Sequence, residues 1–304
     1  MKHKIDPKID CVFKALLGAE DNRNLLVHFL NAIIGSDIAA PLTNVDILNP
    51  YNDKEFLEDK LSIVDVKAKD SDDNIYQIEI QLVSYANLPA RILYYWADIY
   101  SQQLQQGESY YKLKPTYSIW LLAENLIKDD TDYIHTYKVR DNKGRTLNNH
   151  CGIWLLELQK FNSPQVENEQ QRWVRFFKEG EQLTDETALP DWMTTNEMRQ
   201  AMSTLKQFSD KERDYHAYQA RQNYLREQIC IQRERDEALI DKEAALADKE
   251  AALADKEAAL ADKEAALADT EAALADTEAA LRLIKEKDAE LERLKALLAK
   301  NNLH

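Results

Sequence analysis

Between Leu61 and Leu82 the chain reads LSIVDVKAKDSDDNIYQIEIQL, two runs of alternating apolar and polar residues around a cluster that favours turns. A period of two is the pattern of a half-buried strand, and Asp70, Ser71, Asp72, Asp73 and Asn74 supply a hairpin connection. A turn centred near Asp72 sets Asp65 opposite Glu79. Because side chains alternate across a strand, Val64, Val66 and Ala68 then share an apolar face with Tyr76, Ile78, Ile80 and Leu82. The other face carries Asp65, Lys67 and Lys69 against Gln77, Glu79 and Gln81, with Ile63 and Ile75 at its margins.

Cross-strand Cβ atoms lie only about 5 Å apart, so two carboxylates directly opposite each other repel unless positive charge stands between them. One reading is an ordinary solvated face on which Lys67 balances Asp65 and Glu79. The other is a divalent cation, for which hard oxygen ligands select Mg²⁺ or Mn²⁺. Such an ion polarises a phosphoryl oxygen and acidifies a bound water, which Lys67 or Gln81 could orient.

The spacing of Asp65 and Glu79-Ile80-Gln81 resembles the D…E-x-K/Q pattern of the PD-(D/E)XK nuclease superfamily, in its E-x-Q form. More narrowly, four ordered stretches resemble the Rpn family of recombination-promoting nucleases and transposases: Asp10-Cys11-Val12-Phe13-Lys14, VDVKAKD, YQIEIQL and RILYYWADIYSQQLQQGESYYKLKP, within roughly residues 5–180. The resemblance implies an α/β restriction-endonuclease-like core, a mixed sheet flanked by helices, acting on DNA. It implies that Asp65 and Glu79 bind the metal, that Asp10 assists from the first helix, and that Gln81 takes the place of the usual lysine. A neutral amide can hold a water but brings no charge to the transition state, so Lys67 supplies the charge or activity is modest.

Along the chain, apolar residues at helical spacing predict helices within Asp10–Ile34, interrupted over 18–24 and ending near Gly35. Asp10 at the helix start fits an N-cap as well as a metal role; His28, among apolar neighbours, reads as a packing residue. A short strand is expected over Thr43–Tyr51. A helix over Leu88–Gln106 starts near Pro89 and ends at Gly107, carrying Arg91, Tyr94, Tyr95 and Tyr100. Arg91 is the candidate for a DNA phosphate or for the acidic pair. TYSIWLL, 116–122, reads as a strand buried on both faces, followed by strands over 133–139 and 153–158 and helices over 168–178 and 196–208.

From Asp191 onward there is neither glycine nor proline, and Ala, Glu, Lys, Leu and Arg dominate. This is a long helix by propensity. Residues 241–282 are six near-copies of a heptad, four DKEAALA followed by DTEAALA and DTEAALR. A coiled coil needs two apolar positions per heptad. Here one is large, Leu246, Leu253, Leu260, Leu267, Leu274 and Leu281, so the repeat reads as a weak seam or as a spacer of about 60 Å. Leu283, Ile284, Leu291, Leu294, Leu297 and Leu298 form a better seam for a homo-oligomer.

The net charge of -15 argues against nonspecific electrostatic attachment to nucleic acid. It is unevenly placed: residues 241–281 hold twelve Asp or Glu against four Lys, a contribution of -8, leaving -7 for the rest. The chain has no apolar run near the roughly 18 residues of a membrane span and no signal-peptide pattern, so a cytoplasmic protein is expected. Cys11, Cys151 and Cys230 match no zinc or redox spacing. The expected domains are a nuclease-like domain at 1–160, a helical extension at 161–210 and a helical tail at 211–304. The expected function is an Mg²⁺-dependent DNA endonuclease; the alternative is an inactive nuclease-fold scaffold that oligomerises through its tail.

Overall fold

A computed structural model of the chain describes residues 1–49, 64–85, 87–185 and 188–301. The described chain divides into two compact units, residues 1–229 and 230–304. In the first, α1 (Asp10–Leu17) and α2 (Arg23–Ile34) precede β1 (Asp46–Leu48), the hairpin β2 (Val66–Lys69) and β3 (Ile75–Gln81), and α3 (Leu88–Ser101). Then come β4 (Thr116–Leu122), β5 (Ile134–Tyr137), β6 (Cys151–Glu157), α4 (Glu169–Glu179), α5 (Asn196–Asp210) and α6 (Glu212–Asn301), which continues into the second unit. Among the described residues no helix is long and apolar enough to cross a membrane.

The six strands form one mixed sheet in the order β1-β2-β3-β4-β6-β5. Two antiparallel pairings at one edge and one at the other flank a parallel centre, β3 with β4 and β4 with β6. The hairpin has the register read from the alternation, with Val66 opposite Ile78 and Lys67 opposite Gln77. Asp70 fixes its turn. The Asp70 carboxylate accepts from the backbone N–H groups of Asp72 and Asn74, the Asn74 amide and the Tyr76 hydroxyl. Asp73 can therefore adopt the left-handed φ of 65° that the turn requires.

The sheet separates two apolar layers. Val66, Ala68, Tyr76, Ile78, Ile80, Ile119 and Leu121 face a large core built with α1, α2, α4 and α5. In its centre Trp173 is fully buried, edge-on to Phe29 and Phe176 and stacked on Phe177. Aromatic pairs of this kind add about 0.5–1.5 kcal/mol each beyond the burial itself. His28 is the packing residue expected, accepting from the Trp173 indole N–H at Nδ1 (3.0 Å). On the opposite face Trp120, Leu122, Ile153 and Leu155 pack under Leu88, Ile92, Tyr95 and Ile99 of α3.

Three expectations are corrected. Val64 belongs to the α3 layer and not to the face of Val66, because the chain bends at Asp65 instead of continuing as a strand. The helix carrying Arg91 ends at Ser101, short of Gln106. There the Gln103 side chain takes Lys114 O, Lys114 N and Thr116 Oγ1, folding the chain back into β4 through a turn at Gly107, φ 86°. The helix-start residue is Ile9, so Asp10 is the first helical residue and not the N-cap. The predicted strand residues 50, 51 and 61–63 lie outside the described ones.

Candidate active site

The hairpin's polar face is not a solvated surface. Helix α3 covers it, and Gln77 and Glu79 are 0% and 3% exposed. Their burial is made tolerable by a chain of hydrogen bonds. The Trp120 indole donates to Ser118 Oγ (2.8 Å), Ser118 Oγ donates to Gln77 Oε1 (2.9 Å), and Gln77 Nε2 donates to Glu79 Oε1 (3.1 Å). With the Gln77 amide oriented in this way, its N–H can only point at Glu79. The sequence reading missed this relay because Ser118 sits inside an otherwise apolar run. Its alternation with Thr116 was the available signal.

Asp65 stands at the bend just before β2 begins. A longer β2 would have met the N–H of Ile80 with a ladder bond; Asp65 Oδ2 accepts that N–H instead, at 3.0 Å. Its other oxygen lies 3.4 Å from Lys14 Nζ at the end of α1. Gly18 permits that approach: a Cβ there would come within 2.9 Å of Lys14 O and 3.3 Å of Val66 Cγ2. The backbone N–H of Asp65 in turn addresses the Glu79 carboxyl group. The expectation that Asp65 and Glu79 share one face is corrected: they meet through Asp65's main chain, while the Asp65 carboxylate turns toward α1 and Glu79 lies in the α3 layer with its partner Trp120.

Their electrostatics follow from burial. Desolvation raises the Asp65 pKa, while the Ile80 amide and Lys14 oppose the rise and Asp10 adds to it. Desolvation also carries Glu79 well above the usual carboxylate range, with the Asp65 charge adding to the shift and Gln77 and Arg91 moderating it. Of the two, Glu79 is the more deeply buried, and its pKa is pushed up further by the neighbouring Asp65 charge. Asp10 contributes to the same field from α1, and Arg221 of α6 donates to its Oδ1 at 2.7 Å. The first residues of the chain are pinned to the start of α6: His3 stacks on Tyr215 at 3.7 Å, and Asp6 N–H donates to Tyr218 Oη. Lys14 and Arg221 were not singled out as site residues in the sequence. Lys14 lies one helical turn from Asp10, a usable signal, whereas Arg221 is 211 residues away and carried none.

The Gln81 amide is engaged within the protein. Its Nε2 donates to Val83 O (2.8 Å) and Tyr85 Oη (2.7 Å), and its Oε1 accepts from Arg91 Nη1 (3.1 Å). The Arg91 guanidinium lies 4.9 Å from the Tyr95 ring centre and 5.8 Å from that of Trp120. Lys67 projects from β2 at the Gln77 level, one pair beyond Asp65 and Glu79.

In kind, the oxygens of Asp65, Glu79 and Asp10 suit a hard divalent cation; burial first and then the Asp65 charge raise the Glu79 pKa, and such an ion would favour the ionised form against both. Among the described residues no three His, Cys, Asp or Glu side chains already stand as a ligand set, Asp10 and Asp65 being turned toward Arg221 and Lys14.

A carboxyl group whose folded-state pKa is raised binds its proton more tightly in the native state than in the unfolded chain. The resulting stability is full below the ordinary glutamate value of about 4.3 and is lost as pH rises through the raised one. Thermal melts from acid to neutral pH, compared between the parent and Glu79→Gln, are expected to converge at the acid end. Toward neutrality the parent should fall progressively below the variant. Parallel melting curves at every pH would show that Glu79 keeps no extra proton.

Comparison with known proteins gives one family: the model of the PD-(D/E)XK nuclease family transposases matches residues 7–234. No curated protein and no solved structure matches the chain. The matched span takes in Asp10, Asp65, Glu79, Gln81, Arg91 and Arg221, and the mixed sheet with its flanking helices is the core expected of such nucleases. The chain belongs to the PD-(D/E)XK nuclease family transposases.

Proposed function

We propose that the chain is a metal-dependent DNA endonuclease that hydrolyses phosphodiester bonds in recombination, element mobility or defence, working in the cytoplasm. The observation that carries this reading is Glu79, a carboxyl group sealed beside Asp65 at the end of the hairpin and held by a buried relay. A lone structural carboxylate gains nothing from that position. A ligand for a divalent cation does.

In this reading Asp65 and Glu79 hold Mg²⁺ or Mn²⁺, with Asp10 joining from α1. Bound there, the ion would acidify a water and draw charge from a phosphoryl oxygen. The chain's own residues do the rest. Gln77 orients the Glu79 carboxyl, and the Ile80 N–H fixes Asp65. Lys14 and Arg221 balance Asp65 and Asp10 until a cation does. Arg91 and Lys67 are the cationic contacts for the phosphate backbone.

The scaffold alternative draws on the same ion pairs, which already neutralise two of the three carboxylates. Nicking of supercoiled plasmid in Mg²⁺ separates the two. Asp65→Ala and Glu79→Ala are each expected to lower the rate by about 100-fold or more, as loss of a main electrostatic stabiliser does. A parent that never nicks supports the scaffold, and variants that nick like the parent place the chemistry elsewhere.

The tail is proposed to gather copies of the chain. The large apolar residues from Leu246 to Leu298 are each at least half exposed along α6, and the segment with Leu291, Leu294 and Leu298 presents the denser seam. Deletion of residues 241–304 is expected to reduce the particle measured by light scattering to a single chain. An unchanged number of chains per particle would end this part of the reading.

A further inference from the structure

Resting on the hydrolytic reading above, we propose that Arg91 of α3 supplies the positive charge that a lysine at position 81 would supply, and that Gln81 is the residue that aims it.

Gln81 lies two residues past Glu79 on the same face of β3, where the E-x-K form of this site has its lysine. Its side chain is held by partners within the protein. Both amide protons are engaged, by Val83 O and Tyr85 Oη, and this fixes which way the carboxamide oxygen faces. That oxygen receives Arg91 Nη1 at 3.1 Å, and the same nitrogen lies 3.4 Å from Tyr85 Oη.

Two rings complete the clamp: Tyr95, one helical turn along α3, and Trp120, which pairs with Glu79 across β3 and β4. Guanidinium over an aromatic face is attracted by the ring as well as packed by it. Arg91 is also near enough to Glu79 that each favours the other's charged form. A glutamine alone would be a defect in the motif. Glutamine with Arg91 restores a cation at the same strand end by a different route.

Arginine differs from lysine in two ways that matter to phosphate chemistry. It presents a planar fork of five donors, matched to two oxygens of one phosphate, and it stays charged at any pH the protein survives. In hydrolysis the attacking water's oxygen forms the new P–O bond as one ester P–O bond breaks. The water loses a proton and the departing oxygen gains one. Negative charge meanwhile builds on the non-bridging phosphoryl oxygens, and Arg91 is assigned to meet it.

The test uses the full-length protein and single-turnover cleavage of plasmid in Mn²⁺. Binding of a fluorescent duplex in EDTA and the helical melting curve are read alongside. Arg91→Met is expected to cleave about 100-fold more slowly than the parent with duplex affinity within about threefold, since one phosphate contact among many contributes little to binding. Gln81→Lys combined with Arg91→Met is expected to regain at least about tenfold of that loss. It should also acquire an alkaline limb in its pH–rate profile, absent from the parent, as lysine loses its proton near or below about 10.4.

Arg91→Met cleaving at the parental rate overturns the assignment, and so does equal loss of cleavage and binding, which would make Arg91 only a binding contact. If Arg91→Met melts too low to assay, Arg91→Lys and Gln81→Met decide. The assignment expects Gln81→Met to lose cleavage with duplex affinity kept, and Arg91→Lys to cleave faster than Gln81→Met; the reverse order overturns it. A parent that binds duplex and never cleaves defeats the hydrolytic reading itself, a result distinct from every outcome above.

Discussion

The fold of the first unit is arranged around the cost of burying Glu79. A carboxyl group beside a carboxylate and away from water is costly to hold in its charged form. Two strands, a bend and three helices make it possible. β4 contributes Ser118 and Trp120, which orient Gln77; the bend at Asp65 brings a main-chain N–H; α3 brings Arg91. The α1 end and the α6 root bring Lys14 and Arg221 to the neighbouring carboxylates. Removing any one of these leaves charge or a polar group without its partner. Such an arrangement is worth its instability where the negative charge is used.

The end of the hairpin also shows how a sheet can be terminated for function. Had β2 begun before Val66, Ile80 would be ladder-bonded and Asp65 would be another alternating side chain. The bend instead sends Val64 to the α3 layer and frees the Asp65 carboxylate to cap β3 and face α1. Starting one strand late converts a regular pair into a place where a main-chain amide and carboxyl groups converge from opposite layers of the sheet.

Much of this was legible in residues alone, because it is local. Alternation gives the hairpin and its register, and Asp70 with its neighbours gives the turn. TYSIWLL gives β4 over its full observed span, 116–122. What stayed hidden depends on contacts distant in sequence. That Gln77 and Glu79 are covered is decided by α3, and periodicity cannot say whether a polar face meets water or a helix. Gln81 looked like a water holder because its partners Tyr85 and Arg91 lie beyond the strand, on the chain that turns into α3. Arg221 reaches Asp10 across most of the chain, which no local pattern records. The six heptads are visible at a glance, yet one large apolar residue per repeat leaves their partner undetermined by sequence.

The tightest test of a protonated Glu79 waiting for a cation is to count protons. Mn²⁺ titrated calorimetrically into the protein in two buffers of different ionisation heat, at a pH below the raised Glu79 value, reports how many protons leave per ion bound. Metal ligands must be deprotonated to bind, so about one proton should be released, and none by Glu79→Gln. Binding with no release by the parent, or the same release by parent and variant, would contradict the role given to Glu79.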